Sequence, residues 1–170
     1  MTGADVPADF PTPPREFTDA EDREVVVDRA DADALEALVE MYIDFDPGDR
    51  AQGIPPVEEG QIREWLDAIL SAEGFNVVAW HGDRAVGHAT LVPDDAGTYE
   101  LAIFVLDDFQ GARIGTELVK ALLGWAQSAG VEDVWLTVER WNDPAIRLYK
   151  KVGFETTDAQ SFEMEMAIRL

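Results

Sequence analysis

"VLDDFQGARIGTELVKALLGWA" (Val105–Ala126) joins the end of an apolar strand to an amphipathic helix through a short polar turn. Ile114, Leu118, Ala121, Leu122 and Trp125 recur at helical spacing, and Gly130 beyond them reads as the left-handed residue that closes the helix. The chain carries 35 Asp and Glu, yet none falls between Gln110 and Thr116. A glycine-bearing turn that opens a helix exposes several backbone N–H groups at the positive end of the helix dipole, so this junction is prepared for an anion. Two phosphate-loop patterns do not fit. Gly115 is followed by Thr116 and Glu117 with no lysine, and there is no G-x-G-x-x-G.

Working outward, "EVVVDRA" (Glu24–Ala30) reads as a strand, and Asp31 or Asp33 can cap a helix bearing Leu35, Leu38, Val39 and Tyr42. "DPGDRAQGIPP" interrupts it, and a second helix shows Ile62, Trp65, Leu66, Ile69 and Leu70 on one face, with Gly74 beyond its end. "FNVVAW", "AVGHATLV" and "TYELAIFVL", joined by "HGDR" and "PDDAG", predict an antiparallel meander. After the central helix come a strand "VEDVWLTV", a short helix "DPAIRLYKKV" with Pro144 in its first turn, and an alternating strand "SFEMEMAIRL". The order β, two helices, meander, α, β, α, β predicts a mixed α+β fold rather than repeated βαβ units. Residues 1–22, rich in Pro, Asp and Thr, read as a loose arm, with one domain over 23–170.

Thirteen basic against 35 acidic residues give a net charge of −22. The acids are dispersed among periodic apolar residues, which argues for a solvated acidic shell over a disordered tail. Self-repulsion at this charge calls for screening by salt, and the composition resembles that of cytoplasmic proteins of halophiles. No basic face suggests nucleic acid, and no apolar run suggests a membrane span or a secretory leader, so a cytoplasmic location is expected. With no cysteine and only His81 and His88, disulfides, a cysteine nucleophile and a multi-histidine metal site are not expected.

The opening stretch resembles the acetyl-coenzyme A signature of the GNAT acetyltransferase superfamily, Q/R-x-x-G-x-G/A. Gln110, Gly111, Ala112, Ile114 and Gly115 fit it in register, and Arg113 stands where the family usually has glycine. "LTVERWNDPAIRLYKKVGFE" is similar to the superfamily's later motif through Leu136, Val138, Asn142, Ala145, Leu148, Tyr149, Gly153 and Phe154. The two motifs are separated by one helix and one strand, as in the family. Between Arg113 and Lys151 six basic residues meet five acids, so the segment is near neutral inside a strongly acidic chain.

The resemblance implies a GNAT-like fold with a mostly antiparallel sheet of about six to seven strands flanked by helices. It also implies transfer of an acetyl group from acetyl-CoA to a primary amine by direct attack, without a metal. On that reading the backbone of Phe104 and Val105 bonds the pantetheine. Gln110, Gly111, Ala112, Arg113, Ile114, Gly115 and Thr116 hold the pyrophosphate, and Asn142 offers an amide to the pantetheine arm. Tyr149 is the general acid for the leaving thiolate. Glu100 is the candidate general base, with Glu139, Asp44 and Asp46 as substitutes, and His88 is a structural strand residue or else an acceptor contact. The acceptor, a small-molecule or peptide amine, is expected against the first two helices and "FDPGDRAQGIPP". A homodimer stays open, as does a non-catalytic acyl-CoA sensing domain on the same fold, against which Tyr149 argues.

Overall fold

The computed structural model describes residues 10–45, 55–71, 73–160 and 162–170. Its centre is the predicted meander: β3 (Phe75–His81), β4 (Arg84–Pro93) and β5 (Tyr99–Val105), paired antiparallel in sequence. Gly82, at φ 61°, turns β3 into β4. Asp94 builds the next turn: its Oδ1 accepts the N–H groups of Ala96 (2.9 Å) and Thr98 (3.0 Å). β4 is buried almost throughout because helices cover both of its faces.

The full sheet has eight strands in the order β1-β2-β3-β4-β5-β6-β8-β7. Here β1 is Arg15–Thr18, β2 Glu24–Arg29, β6 Asp133–Glu139, β7 Glu155–Ala159 and β8 Glu163–Arg169. All neighbours are antiparallel except β5 and β6, joined by the crossover helix α3 (Ile114–Ser128). Two strands exceed the sequence reading. β7 has no buried position and so no alternation to read. β1 lies in the stretch read as a loose arm: it pairs with β2 from Arg15↔Val27 to Thr18↔Glu24. Phe10 and Pro11 also pack across α3, where a Cβ on Gly124 would strike the Pro11 carbonyl. Residues 1–9 of that arm lie outside the described residues.

Side-chain alternation assigns the two faces. Gly87 lies under Leu118 of α3, and Ile103 and Val105 face Gly115 of the same helix. On the opposite face Phe104 meets Tyr42 of α1 (Leu35–Ile43) and Trp65 of α2 (Glu59–Ser71), both edge-on at ring separations of 5.6 Å. By alternation Glu100 and Ala102 share the Phe104 face. Asp31 caps a single 3₁₀ turn (Ala32–Ala34) that leads into α1. α4 (Asp143–Val152) closes with Gly153 at φ 126° and with the Phe154 N–H on the Tyr149 carbonyl at 2.9 Å. That bond is a Schellman cap, and its apolar partner contact is the Tyr149–Phe154 ring pair at 5.7 Å.

Candidate active site

β5 and β6 are seven residues each but share only two register pairs, Tyr99↔Val134 and Glu100↔Trp135. Beyond Glu100 the strands part, and β6 pairs on its other side with β8 along its whole length. The result is a wedge open at the carboxyl ends of two parallel strands, with a helix beginning beyond each, α3 after β5 and α4 after β6. Clefts at this place in a sheet are where α/β folds receive ligands.

The phase of the β4–β5 ladder decides which backbone groups line the wedge. The Leu106 N–H donates to the Val86 carbonyl at 3.0 Å, so these two residues form a hydrogen-bonded antiparallel pair. The pattern alternates, so Phe104 exchanges its bonds with His88, while Ile103 and Val105 turn theirs toward β6. On this phase the Phe104 backbone serves the sheet and its ring the aromatic cluster, while Ile103 turns its backbone toward the wedge beside Val105. The Val105 carbonyl accepts Gln110 Nε2 at 3.0 Å, which fastens the loop to the strand end.

The loop runs through a 3₁₀ turn (Asp107–Phe109) into two left-handed residues, Gly111 at φ 71° and Arg113 at φ 73°, which flank Ala112. Arg113 therefore adopts the backbone conformation natural to the glycine it replaces, at a cost of about 1 kcal/mol. The first bond of α3 runs from the Glu117 N–H to the Arg113 carbonyl at 3.2 Å, leaving the N–H groups of Ile114, Gly115 and Thr116 without an intrahelical acceptor. The side chains of Ala112, Ile114 and Thr116 are buried, so these residues present backbone only. Gly115 has a packing duty too: a Cβ there would sit 3.0 Å from Leu148 Cδ1, and this close approach seats α4 against the first turn of α3.

Glu100 stands on β5 where the strands part, on the α1–α2 face, and Tyr149 belongs to α4, which packs through Leu148 against the first turn of α3 on the opposite face. The Tyr149 ring is buried, and its hydroxyl has no hydrogen-bond partner among the described residues. Burial pushes the phenol well above its usual range, so it holds its proton. Burial, and then the charge of Asp94, raise the Glu100 carboxyl and make it a better base. Asp94 itself is held at about 2 by hydrogen bonds, first from the Thr98 hydroxyl and then from Trp135 Nε1 at 2.8 Å. Glu139 lies at the open end of β6. Asp44 pairs with Arg84 at 3.8 Å, and Asp46 lies outside the described residues, as does most of "FDPGDRAQGIPP".

Asn142 caps α4 through Oδ1, which accepts the Ala145 N–H at 3.4 Å, so its amide NH₂ is the group left to face a ligand. His88 is structural: Nδ1 accepts the Tyr42 hydroxyl at 2.6 Å and Nε2 meets Asn76 Oδ1 at 2.9 Å. Full burial drives the His88 imidazole down to about 3, so the ring is neutral and ties α1 to β3 and β4.

The basic residues are paired unevenly along the chain. Arg15, Arg23, Arg63, Arg84 and Arg169 each pair with a carboxylate. Arg113, Lys120, Arg147, Lys150 and Lys151, all on α3, α4 or the loop, form no ion pair among the described residues. A shallow recess of about 330 Å³, lined by Phe75, Gly97, Tyr99 and Gly130, lies at the other end of β5, where the strands are paired and neither motif contributes. Among the described residues no helix is long and apolar enough to cross a membrane, and no group of three metal-ligating side chains forms.

Residues 35–154 match the family described as Acetyltransferase (GNAT) family. An uncharacterised N-acetyltransferase of Mycobacterium bovis is 30% identical over 121 residues, covering 65% of this chain and 78% of that protein. Among solved structures, the GNAT domain of S. lividans PAT superposes with a TM-score of 0.79 at 14% identity, over 92% of this chain and 97% of that one. The PaiA N-acetyltransferase from Thermoplasma acidophilum, solved in complex with coenzyme A, superposes with a TM-score of 0.70 at 17% identity, over 86% and 99%.

Proposed function

The chain belongs to the acetyltransferase (GNAT) family and is an acetyl-CoA-dependent acyltransferase; from that premise we propose that it passes the acetyl group to a primary amine by direct attack in the β5–β6 wedge. The observation that carries this reading is the parting of β5 and β6 beyond Glu100, which opens a slot between a strand edge and two helix N-termini.

The residues fit the donor. Its diphosphate needs N–H donors in a region free of carboxylates, and Ile114, Gly115 and Thr116 supply three at the head of α3. Gly111 has open space around it, so the backbone there can be approached closely. The donor's arm carries amides, which match a strand edge: Val105 offers its N–H, Ile103 both backbone groups, and Asn142 its side-chain amide. The unpaired cations of α3 and α4 add long-range attraction for the phosphates.

When bound, acetyl-CoA supplies an acyl group activated as a thioester. The chain's own residues then have separable tasks. Glu100 takes a proton from the incoming ammonium on the α1–α2 face, directly or through water. The wedge edge holds the reacting groups in register. On the opposite face the protonated Tyr149 hydroxyl donates a hydrogen bond to negative charge developing on sulfur. No covalent enzyme intermediate is involved, in keeping with the absence of cysteine.

The domain spans 23–170 on this reading, extended by the packed residues of β1, and the acidic shell is an adaptation to a salt-rich cytoplasm. The test is an acceptor screen with acetyl-CoA in molar KCl, following free thiol. Thiol release that depends on a primary amine supports the proposal. Release with no amine dependence, or acetyl transfer only to hydroxyl acceptors, contradicts it.

A further inference from the structure

The donor loop is gripped from outside by the β1–β2 hairpin, through residues that neither motif contains. Asp19 is buried in that turn; its Oδ1 accepts the N–H groups of Glu21 and Arg23, each at 2.9 Å, and its Oδ2 accepts Arg23 Nε at 2.8 Å. Burial opposes ionisation of Asp19, but the bonds from Arg23 and Glu21 together hold its carboxyl below the usual range. The guanidinium so fixed reaches across the sheet edge. Nη1 donates to the Asp108 carbonyl at 3.0 Å, and the group lies 3.9 Å from the centre of the Phe109 ring. A second tie follows, from the Ala20 N–H to the Ala112 carbonyl at 3.2 Å. Arg15 of β1 adds an ion pair at 3.2 Å to Glu117, the acid in the first turn of α3, and so offsets a charge that would repel an anion there.

These ties bear on the part of the loop that most needs support. Ala112, anchored by its carbonyl, stands between Gly111 and Arg113, both left-handed. A non-glycine residue in that region persists only where its surroundings over-determine it. Released at Asp108, Phe109 and Ala112, the loop would relax Arg113 toward ordinary backbone and turn the N–H groups of α3's first turn away from a common point.

We propose that the Asp19–Arg23 turn is the positioning element of the donor loop, with Arg23 the residue that holds the diphosphate-binding N–H groups preorganised. The inference rests on the wedge being the acetyl-CoA site. Arg23 acts through the loop, so it governs donor affinity and not the chemical step.

The experiment compares the wild-type chain with Arg23→Met, which keeps the stem, and with Arg23→Lys, which keeps the charge but not the fork. Donor Kd, the KM and kcat pair at saturating amine, and amide exchange at Gly111–Thr116 are measured in the same salt. Arg23→Met is expected to raise Kd and KM for acetyl-CoA about tenfold with kcat kept within about twofold. Its loop amides should exchange faster, and Arg23→Lys should fall between. A folded Arg23→Met with unchanged Kd and unchanged loop exchange overturns the proposal, as does a lower melting temperature with wild-type KM. If Arg23→Met fails to fold, Arg23→Lys with wild-type KM and loop exchange overturns it. If the wild type binds no acetyl-CoA, the proposed function fails instead, and faster loop exchange in the variants still upholds the clamp.

Discussion

Replacing Tyr149 by Phe separates catalysis from packing, because it keeps the buried ring and removes only the hydroxyl. Tyr149 is 7% exposed, and its ring, which packs on Phe154 at the Schellman cap of α4, keeps that contact in the variant. The hydroxyl has no partner among the described residues, so its loss removes no intramolecular hydrogen bond. A partnered hydroxyl would cost about 1 kcal/mol; here the change should stay within about 0.5 kcal/mol by urea denaturation. If the phenol donates to the departing sulfur, kcat should fall about 10²–10⁴-fold with donor Kd nearly kept, or roughly 3 to 5 kcal/mol at the transition state. The raised phenol also forecasts that Tyr149 contributes no alkaline limb to the pH–rate profile below about pH 10. The assay is thiol release at saturating donor and amine. Wild-type turnover in a folded Phe variant would refute the donor role. A loss of stability near 1 kcal/mol with kept turnover would mean that the hydroxyl is structural.

Glu100 must be ionised to act as a base, and its carboxyl is raised by burial and by Asp94, so kcat/KM should drop as pH falls through a value above the usual carboxylate range. Glu100→Gln should lower kcat and erase that acid limb; an unmoved limb would assign it to another group. His88→Leu strands the Tyr42 hydroxyl and Asn76 Oδ1 in the core and should cost about 2–4 kcal/mol by chemical denaturation. His88 is held near 3 in the fold against about 6.5 in an unfolded chain, so its contribution to stability is complete above about pH 6.5 and is lost progressively below it, a dependence that His88→Leu should remove. With a net charge of −22, the melting temperature should rise steeply from millimolar to molar KCl, and a flat response would contradict the salt-adapted reading.

What was legible in the sequence is what is local. The helix in "DPAIRLYKKV" is legible from its first-turn proline and apolar spacing, and the structure adds Asn142 as its N-cap and Gly153 with Phe154 as its C-terminal cap. The turn at Gln110–Gly115 is likewise local chemistry, and the meander is legible from three apolar runs joined by two short turns. What is not legible lies where partners are remote or patterns weak. β1 is four residues amid prolines and acids, and β7 has no buried face. Distinguishing Ile103 from Phe104 as the residue whose backbone turns toward the wedge requires the ladder phase, which side-chain alternation does not encode. Arg23 meets Asp108 across 85 residues, and nothing in "DAEDREV" marks it as part of a donor site.

Hydrogen exchange on the full chain in molar KCl, with and without acetyl-CoA, tests most directly whether the wedge is the donor site. Protection is expected at Ile103, Val105 and Gly111–Thr116, with little change at Gly97, Tyr99 or Ala129–Asp133, which border the recess at the far end of β5. Protection centred on that recess, or none anywhere at saturating acetyl-CoA, would contradict it.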